Sequence, residues 1–192
     1  MPVEDLSIFA DKFRITSSRL KNWDYSSPGF YYVTICPLNH NKFFGKIVNK
    51  EMILSIKGQI TKDELLKTGI IRSNIKIDSW IIMPNHIHLI IQIKGIIKNI
   101  QISCRDVARY VSTENKQMSI ISPKPNSLSS TIRSFKSAVT KRCREQKIFF
   151  AWQSRFHDNV IKNEKEYYQI KRYIYNNPIN WLKDPYHQDK KI

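Results

Sequence analysis

The stretch "IIMPNHIHLIIQI", residues 81–93, decides the fold. Pro84 and Asn85 split one apolar run into two halves, the mark of a tight hairpin between neighbouring strands. In the second half, alternation sends Ile87, Leu89, Ile91 and Ile93 to one face and His86, His88, Ile90 and Gln92 to the other. An all-aliphatic face belongs under a layer of helices, so the two imidazoles project from the opposite side of the sheet. Their Cβ atoms stand roughly 7 Å apart along the strand, a spacing from which both rings can reach one divalent ion. Taken alone, the pair has a plainer reading as two partly exposed sheet histidines.

Working outward, "FYYVTIC" at 30–36 is a strand by its aromatic and β-branched content. "FFGKIVNKEMILS" at 43–55 predicts an extended segment or hairpin bending at Asn49 and Lys50. "TKDELLKTGIIRS" at 61–73 predicts a helix with Thr61 as its N-cap and acids in its first turn. On the C-terminal side, "STIRSFKSAVTKRCREQ" at 130–146 spaces Ile132, Phe135, Val139 and Cys143 for one helical face, with a basic face around Arg133, Ser137, Lys141 and Arg144. "FFAWQSRFHDNVI" at 149–161 reads as extended, and "NEKEYYQIKRYIYNN" at 163–177 as a helix stopped by Pro178. Residues 1–29 read as a leader or edge segment. Residues 95–130 read as an irregular insertion that can hold one short helix at "CRDVARYV", and 183–192 as a tail. The order β, β, α, β, β, α, β, α is an α+β layout, with helices on one face of a mainly antiparallel sheet.

A length of 192 residues with 41% hydrophobic content closes one core, so a single domain is expected. Lysine and arginine number 32 against 16 acids, a formal charge of +16, and the pI is near 9.8. The basic residues are spread along the chain and alternate with aromatics, as in "RFHDNVIKNEKEYYQIKRYIY". A folded basic surface for nucleic acid follows more readily than a disordered arm. Cys36, Cys104 and Cys143 are odd in number and lack any CxxC spacing, which argues against a disulfide framework or a thiolate zinc site and for a reducing compartment. With no signal-peptide pattern and no apolar run of about 18 residues, the expectation is a soluble cytoplasmic protein with no membrane partner.

A partner for the histidines is offered by the last helix. Tyr173 and Asn177 fall four apart, on one helical side. Tyr167, Ile170 and Ile174 make a better apolar stripe, which leaves Tyr173 at its shoulder. A tyrosine phenolate can attack a phosphodiester if a metal withdraws charge from the phosphate and holds it in line. "MPNHIHLI" resembles the His-hydrophobic-His motif of the HUH endonucleases. "FKSAVTKR", "WQSRFHDNVI" and "YYQIKRYIYNNPINW" resemble, in the same order, the later blocks of the single-tyrosine transposases of the IS200 type. The pattern is most like that of the REP-associated tyrosine transposases, and it covers residues 30 to about 182.

This resemblance implies a ferredoxin-like sheet with the histidines on a central strand and a tyrosine helix across that face. It implies cleavage of single-stranded DNA near hairpins, leaving a 5′-phosphotyrosine and a free 3′-hydroxyl. By the same token, Tyr173 is expected as the nucleophile, with His86, His88 and Asn177 as ligands of Mg²⁺ or Mn²⁺. For DNA contacts the basic helix offers Arg133, Lys136 and Lys141, with Arg155 beside Trp152; His157 in "RFHD" suits packing or DNA contact. Such enzymes act as monomers or as homodimers. Two other readings stay open: a catalytically silent, sequence- or structure-specific single-stranded DNA-binding protein, and metal-dependent hydrolysis by a histidine-bound water.

Overall fold

The computed structural model describes residues 8–9, 12–13, 20, 23–95 and 124–187. A four-stranded antiparallel sheet forms the centre. Its strands are β3 (Gly29–Ile35), β6 (Ile75–Met83), β7 (His86–Ile93) and β8 (His157–Ile161), in the spatial order β6-β7-β3-β8. A two-residue pairing, β1 (Ile8–Phe9) with β2 (Lys12–Phe13), precedes it, and a small hairpin of β4 (Gly45–Val48) and β5 (Glu51–Leu54) follows β3. Helices α1 (Ile56–Ile71) and α2 (Leu128–Glu145) cover one face of the sheet, and α3 (Glu164–Asn176) crosses the other. The β3-α1-β6-β7-α2-β8 path in that strand order is the ferredoxin-like α+β arrangement expected from the sequence.

Pro84 and Asn85 do form the β6–β7 turn, pairing Met83 with His86 and Ile82 with Ile87. The aliphatic face of β7 lies in the larger core, where Ile87, Leu89, Ile91 and Ile93 meet Tyr31, Val33 and Ile35 of β3 and Leu128, Ile132, Phe135 and Val139 of α2. Each fully buried aliphatic side chain is worth roughly 1.5–3 kcal/mol of transfer free energy. The second, smaller cluster is on the histidine face, where Ile90 and Ile161 meet Ile174 of α3, flanked by Phe30, Tyr32, Tyr167 and Ile170. A register shift between Ile77 and Ser79 adds one residue to β6, which switches the strand's alternation. Ile77 before it and Trp80 after it consequently both reach the larger core, while the Asp78 carboxylate accepts from the Tyr167 hydroxyl of α3 at 2.7 Å.

Three boundaries differ from expectation. Helix α1 starts five residues before Thr61: Ser55 is the N-cap, its hydroxyl accepting from the Gly58 N–H and donating to the Phe43 carbonyl. Gly58 is required there because a Cβ would lie 2.1 Å from the Phe44 carbonyl oxygen. Isoleucines and that glycine make the first turn weakly helical by propensity, which hid it. The 149–161 segment is a strand only over His157–Ile161, with Trp152 in an isolated bridge to Pro37. Helix α2 begins at Leu128, capped by Ser127. At the β4–β5 bend, Asn49 and Lys50 both take positive φ (49° and 66°), the two-residue turn that matches strand twist. "CRDVARYV" lies outside the described residues, as do Cys104 and most of 1–29 and 95–130; Cys36 and Cys143 are buried free thiols.

Candidate active site

Strand β7 presents His86 and His88 toward α3, with ring centroids 4.4 Å apart. Neither is a partly exposed sheet histidine: their exposures are 0% and 1%. Each is held by its Nδ1. The Asn85 side-chain amide donates its Nδ2 to the Tyr186 carbonyl, which puts its Oδ1 against His86 Nδ1 at 3.0 Å. His86 Nδ1 is thereby the protonated nitrogen, and its Nε2 presents a lone pair. That Nε2 is buried and has no hydrogen-bond partner. His88 Nδ1 lies 2.8 Å from the Tyr32 hydroxyl and 2.9 Å from Thr34 Oγ1, both on β3, leaving its Nε2 directed at α3. Burial, with His40 nearby, depresses the His86 pKa to about 3, and burial beside His86 holds His88 well below the usual value. Both rings are neutral near pH 7, the form that ligates metals.

Helix α3 supplies the other half. Asn163 caps it, accepting from the Glu166 N–H, and Glu164 and Glu166 occupy the positive end of its dipole. It is seated by Ile174 and by a latch in which Tyr167 donates to Asp78 and Lys171 lies 3.5 Å from the same carboxylate. This seating places the Tyr173 hydroxyl 3.4 Å from His88 Nε2. Of the other α3 tyrosines, Tyr167 is tied to Asp78, Tyr168 packs edge-on to Tyr167, and Tyr175 is 80% exposed. Tyr173 is therefore the α3 phenol that meets a histidine, and at 41% exposure it is also open to solvent.

A residue that sequence reasoning missed closes the site. Asp184 follows a single 3-10 turn at Trp181–Lys183, and its Oδ2 accepts from the Tyr173 hydroxyl at 3.2 Å and from Asn177 Nδ2 at 3.0 Å. Its Oδ1 accepts from the Tyr186 N–H at 2.7 Å. The same Oδ2 lies 4.0 Å from His86 Nε2, and potential ligand atoms of His86, His88 and Asp184 all lie within 4.8 Å of one another. Residues 183–187, expected to open a tail, instead pack here: the Tyr186 ring sits 4.7 Å from that of His86. Burial and the Asp184 charge push the Tyr173 pKa up to about 12, so its proton is held firmly near pH 7. Asn177 is buried, with its amide nitrogen on Asp184 and its Oδ1 without a hydrogen-bond partner.

The basic residues singled out in the sequence lie elsewhere. Arg133, Lys136 and Lys141 belong to α2, which packs on the sheet face opposite the histidines. Arg133 and Lys141 are exposed, and Lys141 pairs loosely with Glu145 at 3.9 Å. The Lys136 ammonium is engaged by the Gln153 and Arg155 carbonyls and lies over the Trp152 ring. It braces the loop before β8. Arg155 and His157 are exposed beside that loop.

No family model matches the chain. An uncharacterized protein of Haemophilus influenzae is 36% identical over 174 residues, covering 90% of this chain and 93% of that one. At that identity and coverage the two belong to one family. Among solved structures, a REP-associated tyrosine transposase bound to a REP hairpin superposes with a TM-score of 0.53 at 19% identity, covering 87% of this chain and 74% of that chain. The fold is that of a REP-associated tyrosine transposase. This agrees with the HUH resemblance read from the motifs. A putative transposase from Deinococcus radiodurans also matches, at 13% identity and a TM-score of 0.31, over 83% of this chain and 97% of that chain.

Two observations fit the site to a divalent cation: the buried lone pair of His86 without a hydrogen-bond partner, and a carboxylate brought to two neutral imidazoles. That donor set suits a first-row divalent ion such as Mn²⁺ as well as Mg²⁺. Among the described residues no helix is long and apolar enough to cross a membrane.

Proposed function

We propose that the protein is a metal-dependent, single-tyrosine endonuclease and strand transferase acting on single-stranded DNA near hairpins, with Tyr173 as nucleophile. The observation that carries this reading is the Tyr173 hydroxyl, 3.4 Å from His88 Nε2 within a buried His-His-Asp cluster. The hairpin bound by the REP-associated transposase of like fold supports the choice of substrate class, and the +16 charge supports a polyanion. His86 and His88, with Asp184 or Asn177 beside them, would hold Mg²⁺ or Mn²⁺, which supplies charge withdrawal from the scissile phosphate.

The chain's own groups do the rest. The seating of α3 fixes the phenol in place, so attack costs little orientational entropy. The Tyr173 proton already points at Asp184, which gives it an acceptor as the phenol oxygen bonds to phosphorus. The bond from phosphorus to the 3′-oxygen breaks, that oxygen takes up the proton that Tyr173 gave to Asp184, and the 5′-phosphate stays on Tyr173. The phosphodiester energy is retained in the phosphotyrosine linkage, so a 3′-hydroxyl can reverse the step and rejoin DNA. Arg133, Lys141 and Arg155 are assigned to backbone contacts with DNA that runs past the α2 layer.

The test is incubation of labelled hairpin DNA with the protein and Mn²⁺, followed by denaturing electrophoresis. An adduct that disappears in Tyr173→Phe is expected, and persistence of the adduct in that variant refutes the assignment. One observation favours a second reading, a DNA-binding protein without turnover: both histidines are buried, His86 under Trp181 and Tyr186 and His88 under Tyr32, Tyr173 and Tyr186. It predicts salt-sensitive hairpin binding, unchanged in His88→Ala, with no adduct under any condition.

A further inference from the structure

The motifs pointed to Asn177 as the third protein ligand of the cation; the geometry points to Asp184. We propose that His86, His88 and Asp184 are the cation's protein ligands and that Asn177 acts one step further out, holding the Asp184 carboxylate. This rests on the reading of the cluster as a cation site.

Three observations carry it. Asp184 is buried with Oδ2 4.0 Å from His86 Nε2, and His86 Nε2 is itself fully buried with no hydrogen-bond partner. A buried lone pair with no hydrogen-bond partner and an anionic oxygen 4.0 Å from it, too far for a hydrogen bond, are what a cation between them would satisfy. Second, Asn177 turns its amide nitrogen to the cluster, donating from Nδ2 to Asp184 Oδ2 at 3.0 Å. Turning the amide over would set two acceptor oxygens against each other, so carboxylate and amide oxygen do not both face the ion while that contact lasts. Third, the carboxylate is built in from both sides: Oδ1 accepts from the Tyr186 N–H, whose residue is in turn fixed by Asn85 through its carbonyl. Two imidazoles and one carboxylate form a set that leaves coordination positions open for phosphate and water. A hard cation also prefers an anionic oxygen to a neutral amide oxygen. Asn177 Oδ1 is buried without a hydrogen-bond partner, so the test must weigh both residues.

The experiment measures Mn²⁺ affinity of the purified full-length protein by the electron paramagnetic resonance signal of free Mn²⁺, with folding checked by circular dichroism. The variants are Asp184→Asn, Asp184→Ala, Asn177→Ala, His86→Ala and His88→Ala. Loss of an outer partner typically weakens metal binding 10–100-fold. Asn177→Ala is therefore expected near the low end, about 10-fold, and the Asp184 variants beyond about 100-fold. Asp184→Asn keeps the side-chain shape and guards against collapse of the site. If Asn177→Ala loses more affinity than Asp184→Asn, or if the Asp184 variants bind like wild type while the histidine variants do not, the ligand assignment is overturned and the cation site stands. If the histidine variants also bind like wild type, the reading of a cation site falls with it.

Discussion

Along β7, Leu89 and His88 are neighbours with almost equal exposure, 0% and 1%, yet their surroundings have little in common. Leu89 sits among aliphatic and aromatic carbons contributed by β3 and α2, where only shape has to match. His88 sits among a tyrosine hydroxyl, a threonine hydroxyl, the phenol of α3 and a second imidazole. The first face is a cluster of buried apolar side chains. Beneath the second, His86 Nε2 and Asn177 Oδ1 remain buried with no hydrogen-bond partner, a cost that folding alone does not explain. Burial therefore does not separate packing from chemistry in this strand; the unmet polar atoms do.

The comparison can be broken from either side. Leu89→Ala should cost about 2–5 kcal/mol in denaturant unfolding, the largest effect expected at neutral pH, and a loss below about 1 kcal/mol would show that the aliphatic face is loosely packed. On the other face, Mn²⁺ at a hundred times its dissociation constant should add about 2.7 kcal/mol, read as a rise in melting temperature. A chelator should reverse that rise and His88→Ala should abolish it.

Acid should act on the histidine face through its two buried imidazoles. The folded His86 pKa is depressed from 6.5 to about 3, so below pH 6.5 the unfolded chain binds the extra proton. Metal-free stability should therefore be complete above pH 6.5 and fall toward pH 3, by up to about 1.4 kcal/mol per pH unit for each such histidine. His88 adds in the same direction. Melting curves of His86→Gln should be flatter over this range, and an equal acid slope in that variant would refute the origin. The smallest effect concerns the latch: Tyr167→Phe removes the bond to Asp78 and should cost about 1 kcal/mol. Adduct yield should drop as α3 loosens, with Mn²⁺ affinity unchanged, since the latch touches none of His86, His88 and Asp184.

The legible parts of the molecule are those where local pattern and tertiary role agree. Pro84 and Asn85 mark a turn, and the turn forms there; Ile87, Leu89, Ile91 and Ile93 alternate, Ile132, Phe135, Val139 and Cys143 repeat at helical spacing, and both apolar sets are buried as their patterns imply. The start of α1 was hidden because Gly58 is dictated by a neighbouring carbonyl of Phe44, which no local propensity reports. The depth of His86 and His88 was hidden because what covers them, Tyr186 and α3, arrives from the far end of the chain. Asp184 had only a weak cue, an acid before Pro185 after the helix has ended, which reads as a terminus. Its partners Tyr173, Asn177 and His86 are assembled by the fold alone. Lys136 looked like surface charge because sequence cannot show that two carbonyls would claim its ammonium.

The central claim is that the phenol beside His88 becomes bonded to DNA. The most direct measurement is mass spectrometry of the nuclease-trimmed, trypsin-digested adduct formed on hairpin DNA with Mn²⁺. The peptide "YIYNNPINWLK", residues 173–183, carries both Tyr173 and Tyr175, and fragmentation separates them. The account predicts a nucleotide 5′-phosphate on Tyr173. A nucleotide on Tyr168 or Tyr175, or cleavage of the hairpin with no residue modified, would contradict it.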